Sequence, residues 1–148
     1  MESECDNLTQ EDGPSCAILV VGREDSFSPL LIDYALGLAF RMGYSIVALN
    51  LLEASRREMR RLNSAGGLKE QEALRTAAEK SMLNFQAKAK AGPRGVGFKW
   101  EWAMGEMEQV TRQVVEREGN IALVLTEPEY LDEKDRDNIS IPTFFYAD

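Results

Sequence analysis

The apolar run Cys16–Val21, Cys-Ala-Ile-Leu-Val-Val, constrains the fold more than any other feature of the chain. A strand-length segment that is apolar throughout, with no alternation, is buried on both faces, as in the middle of a parallel sheet. A parallel neighbour has to be reached by a crossover, and the sequence supplies one. Gly22–Ser28 is a polar turn, and Ser28-Pro29 offers an N-cap serine followed by proline at the first helical position. The helix runs to about Met42 and closes at Gly43, and Tyr44–Leu52 follows as a second apolar strand.

The same alternation continues. A charged, alanine-rich stretch from Leu68 to Ala91 predicts a long helix whose inner face is Leu74, Ala78, Met82, Phe85 and Ala89. After the breaker Gly92-Pro93-Arg94-Gly95, the residues Val96, Phe98, Trp100, Trp102 and Met104 alternate with Gly97, Lys99, Glu101 and Ala103. That period of two marks a strand with one wet face, at an edge of the sheet. Gly105–Glu118 predicts a third helix with Met107, Val110 and Val114 inward, and Ile121–Leu125 and Ile141–Tyr146 complete the strands. The order β-α-β-α-β-α-β-β implies an α/β fold with a doubly wound, mainly parallel five-stranded sheet and helices on both faces. The expected division is an acidic flexible N-terminal tail, residues 1–14, and a single α/β domain, residues 15–148.

Composition narrows the function. Seventeen basic against twenty-five acidic residues give a net charge of −8, which opposes nucleic acid as a partner. Met1–Gly13 carries five acids and no base, unlike an export signal, and no apolar run approaches membrane-spanning length. Cys5 and Cys16 show no metal-ligand spacing and suit a reducing cytoplasm, with Cys16 read as a small core residue. There is no histidine, so Ser-His-Asp, Cys-His and histidine-metal arrangements are excluded. No catalytic residue, cofactor or metal is expected, and the chain reads as a binding or regulatory module, not an enzyme.

Other features carry two readings each. Glu127–Asp137 holds six carboxylates but lacks the order and turn glycine of an EF-hand loop, so it reads as a solvated loop. Ser55–Arg61 concentrates four arginines after the second strand, at the edge of the sheet where doubly wound folds take ligands. Arg56, Arg57 and Arg60, with Arg23, are therefore a candidate anion site. The simpler reading is an exposed helical turn whose arginines pair with Glu53, Glu58 or the acidic loop. Gly66-Gly67 reads as a mobile link. From Pro29 to Phe40 only Asp33 and Gly37 are neither apolar nor aromatic, more than one stripe needs, so this first helix is a candidate surface for a protein partner. The tail or a neighbouring helix would cover it equally well. Phe98, Trp100 and Trp102 read as core beneath the long helix rather than as a stacking surface.

The segment Ala17-Ile-Leu-Val-Val, a polar turn, Ile32–Gly43 and Ser45–Leu49 resembles the opening strand, helix and second strand of the universal stress protein family. Gly105–Val110, Glu118–Val124 and Ile141–Phe145 resemble its third-helix start, fourth strand and terminal strand. The resemblance implies a sheet of order 3-2-1-4-5, as in the adenine nucleotide alpha hydrolase-like folds. The last strand, Ile141–Tyr146, brings no charge to the opposite sheet edge and so predicts a homodimer through it, as in many members of that family, with Ile141, Thr143, Phe144, Phe145 and Tyr146 at the interface; the alternative is a monomer whose preceding loop covers the edge. Members that bind ATP carry G-x2-G-x9-G-[ST] after the fourth strand, whose glycines let backbone amides approach phosphate. This chain has no glycine after Gly119, and Arg23 falls where the family has an acidic residue. Loss of ATP binding is the expectation, leaving a regulatory or protein-interaction module, with a membrane reached only through a transporter partner. The alternative is a sensor of a nucleotide or other anion, bound at the C-terminal edge of the sheet in another mode.

Overall fold

Every residue of β1 (Ala17–Gly22) is buried, as its unbroken apolar sequence requires of a central strand. In a computed structural model, which describes residues 16–92 and 95–127 and the backbone of 143–145, β1 is flanked by β2 (Ser45–Glu53) and β4 (Ile121–Thr126). The edges are β3 (Phe98–Gly105) beside β2 and β5 (Thr143–Phe145) beside β4, giving the order β3-β2-β1-β4-β5 with every pair parallel. The helices are α1 (Pro29–Met42), α2 (Arg56–Leu62), α3 (Ala65–Lys90) and α4 (Met107–Glu118). The doubly wound sheet read from the sequence is therefore observed, with its aromatic strand at an edge.

Alternate residues of β1 feed two cores. Ile18 and Val20 pack with Leu31, Ile32, Ala35 and Ala39 of α1 and with Met82, Phe85 and Ala89 of α3. Ala17, Leu19 and Val21 pack on the other face with Met107, Val110 and Val114 of α4. The ends of the helices are fixed by the residues the chain offers for it. The Ser28 hydroxyl accepts the Leu31 N–H at 3.2 Å, and Glu53, at the end of β2, accepts the Met107 N–H at 3.2 Å. Phe98 and Trp100 pack against the α1/α3 core, and Phe98 meets Phe85 edge to face at 5.1 Å. The aromatic face of β3 is thus core in the main. Among the described residues nothing covers the outer side of α1, with Leu30, Tyr34, Phe40 and Met42 each at least 40% exposed.

The arginine segment, read as an exposed helical turn, is a short helix of its own, α2, closed at its N-terminus by a capping box between Ser55 and Glu58. Two other readings need correction. Gly66-Gly67 is not a link: both lie in the first turn of α3, which starts at Ala65 with Ser64 as N-cap. Glycine's low helix propensity is overridden by packing here, because a Cβ on Gly67 would lie 2.4 Å from Leu62 Cα and 2.5 Å from the Arg61 carbonyl. Cys16 is buried, as expected of a core residue, but its sulfur is in a disulfide, so cysteine usage gives no argument for a reducing compartment. The N-terminal tail, the acidic stretch beyond Glu127, Ile141 and Tyr146 lie outside the described residues, as do the side chains of Thr143, Phe144 and Phe145.

The two neighbouring glycines should respond to alanine with opposite signs. Gly67→Ala is expected to cost about 1–3 kcal/mol through overpacking between α2 and α3. Gly66→Ala, whose Cβ meets nothing within 4 Å, is expected to gain about 0.5–1 kcal/mol from helix propensity. Urea unfolding midpoints decide it, and equal effects at both positions would show that the close approach is absent.

Candidate functional site

Doubly wound sheets take ligands at the C-terminal ends of the strands, where the chain order reverses, here between β1 and β4. The loop from Arg23 to Ser28 lies over this edge, and side chains from four other elements or strand ends hold it. Asn50, fully buried on β2 in register with Gly22, donates from Nδ2 to the carbonyls of Arg23 at 2.7 Å and Ser26 at 3.1 Å. Its Oδ1 accepts the indole N–H of Trp100 on β3 at 2.8 Å. The indole N–H of Trp102, two residues on, reaches the Glu24 carbonyl at 2.8 Å. Ser81 of α3 accepts the Phe27 N–H at 2.9 Å.

Phe27 and Glu127 lie beneath the loop. Phe27 is buried, meets Phe85 edge to face at 5.2 Å and lies so close to β1 that a Cβ on Gly22 would be 2.4 Å from its ring. From the β4 side, Glu127 is 2% exposed; its Oε1 accepts the Ser28 N–H at 3.2 Å, and its own N–H donates to the Val21 carbonyl at 3.4 Å. A carboxylate of the chain thus sits beside the N-terminus of α1, the position at which this fold attracts an anion. Neither Asn50 nor Glu127 was singled out from the sequence for this role. A lone asparagine inside an apolar strand, and a carboxylate directly after another strand, were the available signals.

The candidate anion residues all fall at this edge of the sheet but on different elements. Arg23 is exposed on the loop after β1. Arg56, Arg57 and Arg60 are exposed on the outer side of α2, whose Leu62 is buried, and none of the three makes an ion pair or hydrogen bond with a described residue. Among the described residues the cluster's one ion pair is Arg61 with Glu70 of α3 at 3.3 Å, a partner other than the expected Glu53 and Glu58, while the acidic loop beyond Glu127 lies outside the described residues. Glu58 is engaged in the capping box, and its carboxyl is held below the usual carboxylate range by the Ser55 backbone and hydroxyl. Next to this region, Leu68, Gln71, Glu72 and Arg75 of α3 and Trp102 line an open hollow of about 220 Å³. Among the described residues no group of three or more Cys, Asp or Glu side chains could hold a metal ion, and no helix is long and apolar enough to cross a membrane.

On the opposite face of β3, Lys99 pairs with Glu118 at 3.0 Å, and Arg117 pairs with Glu101 at 2.6 Å and Glu118 at 3.4 Å. The Glu118 carboxyl is held below its ordinary value, chiefly by the Lys99 hydrogen bond and then by Lys99 and Arg117 charge, against the opposing effect of burial. A lowered folded value means stability that is present above the unfolded value and lost as pH falls through the folded one. Solvent screens these pairs, so the effect is small.

Replacing the amide that holds the loop tests its role. Asn50→Asp preserves shape and the acceptor for Trp100 but removes both donors and sets a carboxylate against two carbonyls. A loss of about 2–4 kcal/mol is expected. Guanidinium unfolding measures it, and a loss below 1 kcal/mol would show that the loop does not depend on Asn50.

No protein-family model matches the chain, and no curated protein matches it. Solved structures do. The universal stress protein UspA from Lactobacillus plantarum superposes with a TM-score of 0.68 at 13% identity, covering 92% of this chain and all of that one. A universal stress protein family member from Burkholderia pseudomallei gives 0.64 at 15% identity, over 87% of this chain and 94% of that one. A universal stress protein in complex with cAMP gives 0.59 at 11% identity, over 90% and 99%. The strand order, the helices on both faces and near-complete coverage in both directions agree, and the chain has the fold of the universal stress proteins.

Proposed function

We propose that the chain is a divergent, non-catalytic universal-stress-like regulatory module, which acts through protein contacts and does not bind ATP by the route of that family. The observation that carries this reading is the placement of Phe27 and Glu127 at the ligand-binding edge: Phe27 packs on Gly22, and the buried Glu127 carboxyl takes the Ser28 N–H. A phosphate entering there would face a carboxylate and would have to displace a loop held through Asn50, Trp102 and Ser81. The absence of any glycine after Gly119 supports the same reading, since the family's phosphate loop needs them. The open apolar side of α1, with Leu30 and Tyr34, is a surface on which a partner of such a module would bind.

A second reading, an anion sensor, is favoured by Arg56, Arg57 and Arg60, which are exposed at the ligand-binding edge without a partner among the described residues. One structure of similar fold is a complex with cAMP, so that nucleotide belongs among the probes.

Thermal unfolding with ATP, AMP, cAMP and inorganic phosphate separates the two. A ligand at a hundred times its dissociation constant stabilises by about 2.7 kcal/mol, several degrees for a domain of this size. No shift with any of them is expected. A shift with ATP that survives Arg56→Ala and Arg60→Ala would overturn the proposal, and a shift abolished by those substitutions would establish the sensor.

A further inference from the structure

Strand β3 is eight residues long and has no strand on its outer side among the described residues. The carbonyls of Gly97 and Gly105 point inward, accepting the N–H groups of Ile46 at 2.8 Å and Ala54 at 3.0 Å. Odd-numbered residues therefore bond to β2. The N–H and C=O groups of Phe98, Trp100, Trp102 and Met104 point outward, a row of open donors and acceptors that only another extended backbone satisfies.

The side chains of this edge select the occupant. The sequence Phe98-Lys99-Trp100-Glu101-Trp102 reads nearly the same in both directions about Trp100, aromatic residues alternating with one cation and one anion. We infer that a second copy of this chain pairs antiparallel with β3 about a twofold axis at Trp100. In that register Trp100 faces Trp100 of the second copy and Phe98 faces its Trp102, and these outward-pointing residues form the hydrogen-bonded pairs. Lys99 faces Glu101 of the second copy, twice, at the non-hydrogen-bonded positions where side chains come closest. Moving the axis one residue either way sets Glu101 against Glu101 or Lys99 against Lys99, so the charges admit one register and reject its neighbours. Lys99 is 72% exposed and gives one bond to Glu118, which leaves its ammonium donors for the carboxylate across the axis. The alternating charge that would discourage a random partner is complementary to its own copy.

The helix beside the edge agrees. Leu68 and Leu83 of α3 are 52% and 53% exposed, and Leu68 lines the hollow with Trp102. Leu83 lies about four turns further along the same flank. A second copy continuing the sheet brings its own α3 alongside and covers both leucines. The twofold axis expected from the sequence at the last strand involves side chains outside the described residues, and Phe144→Lys serves as its probe.

Sedimentation velocity at tens of micromolar tests this with two single variants. The wild type is expected to be a dimer. Lys99→Glu and Glu101→Lys each place like charges opposite one another twice and are expected to weaken it at least about tenfold. Mixed in equal amounts, the two variants present opposite charges at every pair and should recover the dimer, while Phe144→Lys should leave the wild-type dimer intact. Hydrogen exchange on the wild type gives a readout that needs no variant: protection of the Phe98, Trp100 and Trp102 amides should rise with protein concentration. A monomeric wild type, dimerisation unchanged by either single variant, no recovery on mixing, a dimer split by Phe144→Lys, or amides exchanging equally fast at all concentrations would each overturn the inference.

Discussion

The Asn50 amide sits where three parts of the molecule meet. Buried without partners, it would cost several kilocalories, on the order of 2–7 kcal/mol. It is kept because β2 lies between an edge strand that offers an indole donor and a loop that offers two carbonyls. Its position fixes the turn after β1, and the turn fixes Phe27 over Gly22 and Ser28 at the start of α1. From Ser28 the same chain of contacts reaches Glu127 at the end of β4. One polar side chain in an otherwise apolar strand therefore couples β3, β2, β1, α1 and β4 at a single edge of the sheet.

That coupling changes what the edge can do. In a doubly wound fold the reversal of strand order leaves a crevice because successive helices cross to opposite faces. Here an aromatic ring and a carboxyl belonging to the chain itself lie between the loop after β1 and the end of β4. The backbone donor at the front of α1 is satisfied internally, so the favourable site for an anion already holds one. The arginines of α2 lie on the same edge but outward, on a seven-residue helix whose apolar side is turned into the fold. Positive charge is therefore presented on the surface while the interior of the edge stays negative.

Much of the architecture was legible in the sequence because it rests on periodicity. Unbroken apolar residues placed β1 at the centre, alternation placed β3 at an edge, and Ser28-Pro29 and Gly43 bounded α1 where the structure has it. Local rules failed at Gly66-Gly67, where glycine was read as flexibility. The structure needs the missing Cβ so that α3 can approach the backbone of Leu62, a tertiary contact with no local signature. The candidate site was less legible for a related reason. Arg23 and the α2 arginines were placed at the correct edge by topology, but the groups that hold the loop act through hydrogen bonds between residues as far apart as Ser28 and Glu127 or Glu24 and Trp102. No spacing rule connects such pairs. The indoles of Trp100 and Trp102, read as apolar filling, turn out to use their N–H groups, Trp102 to hold the loop at Glu24 and Trp100 to hold the Asn50 amide that secures it.

A loop secured in this way constrains how the molecule can respond to its surroundings. Opening it would break the bonds from Asn50, Trp102, Ser81 and Glu127 at about 1 kcal/mol each and would expose Phe27 at about 2 kcal/mol more. A ligand that binds only the open form must repay that sum before any net affinity appears. Surfaces that need no opening are free of this cost: the apolar side of α1 and the edge of β3 are accessible with the loop in place. The two also differ in kind, since α1 offers a side-chain surface to whatever is apolar, whereas β3 offers a backbone ladder with a charge order that only a matching strand satisfies. With the loop in place, the hydrogen bonds behind Trp100 and Trp102 keep the β3 edge in shape.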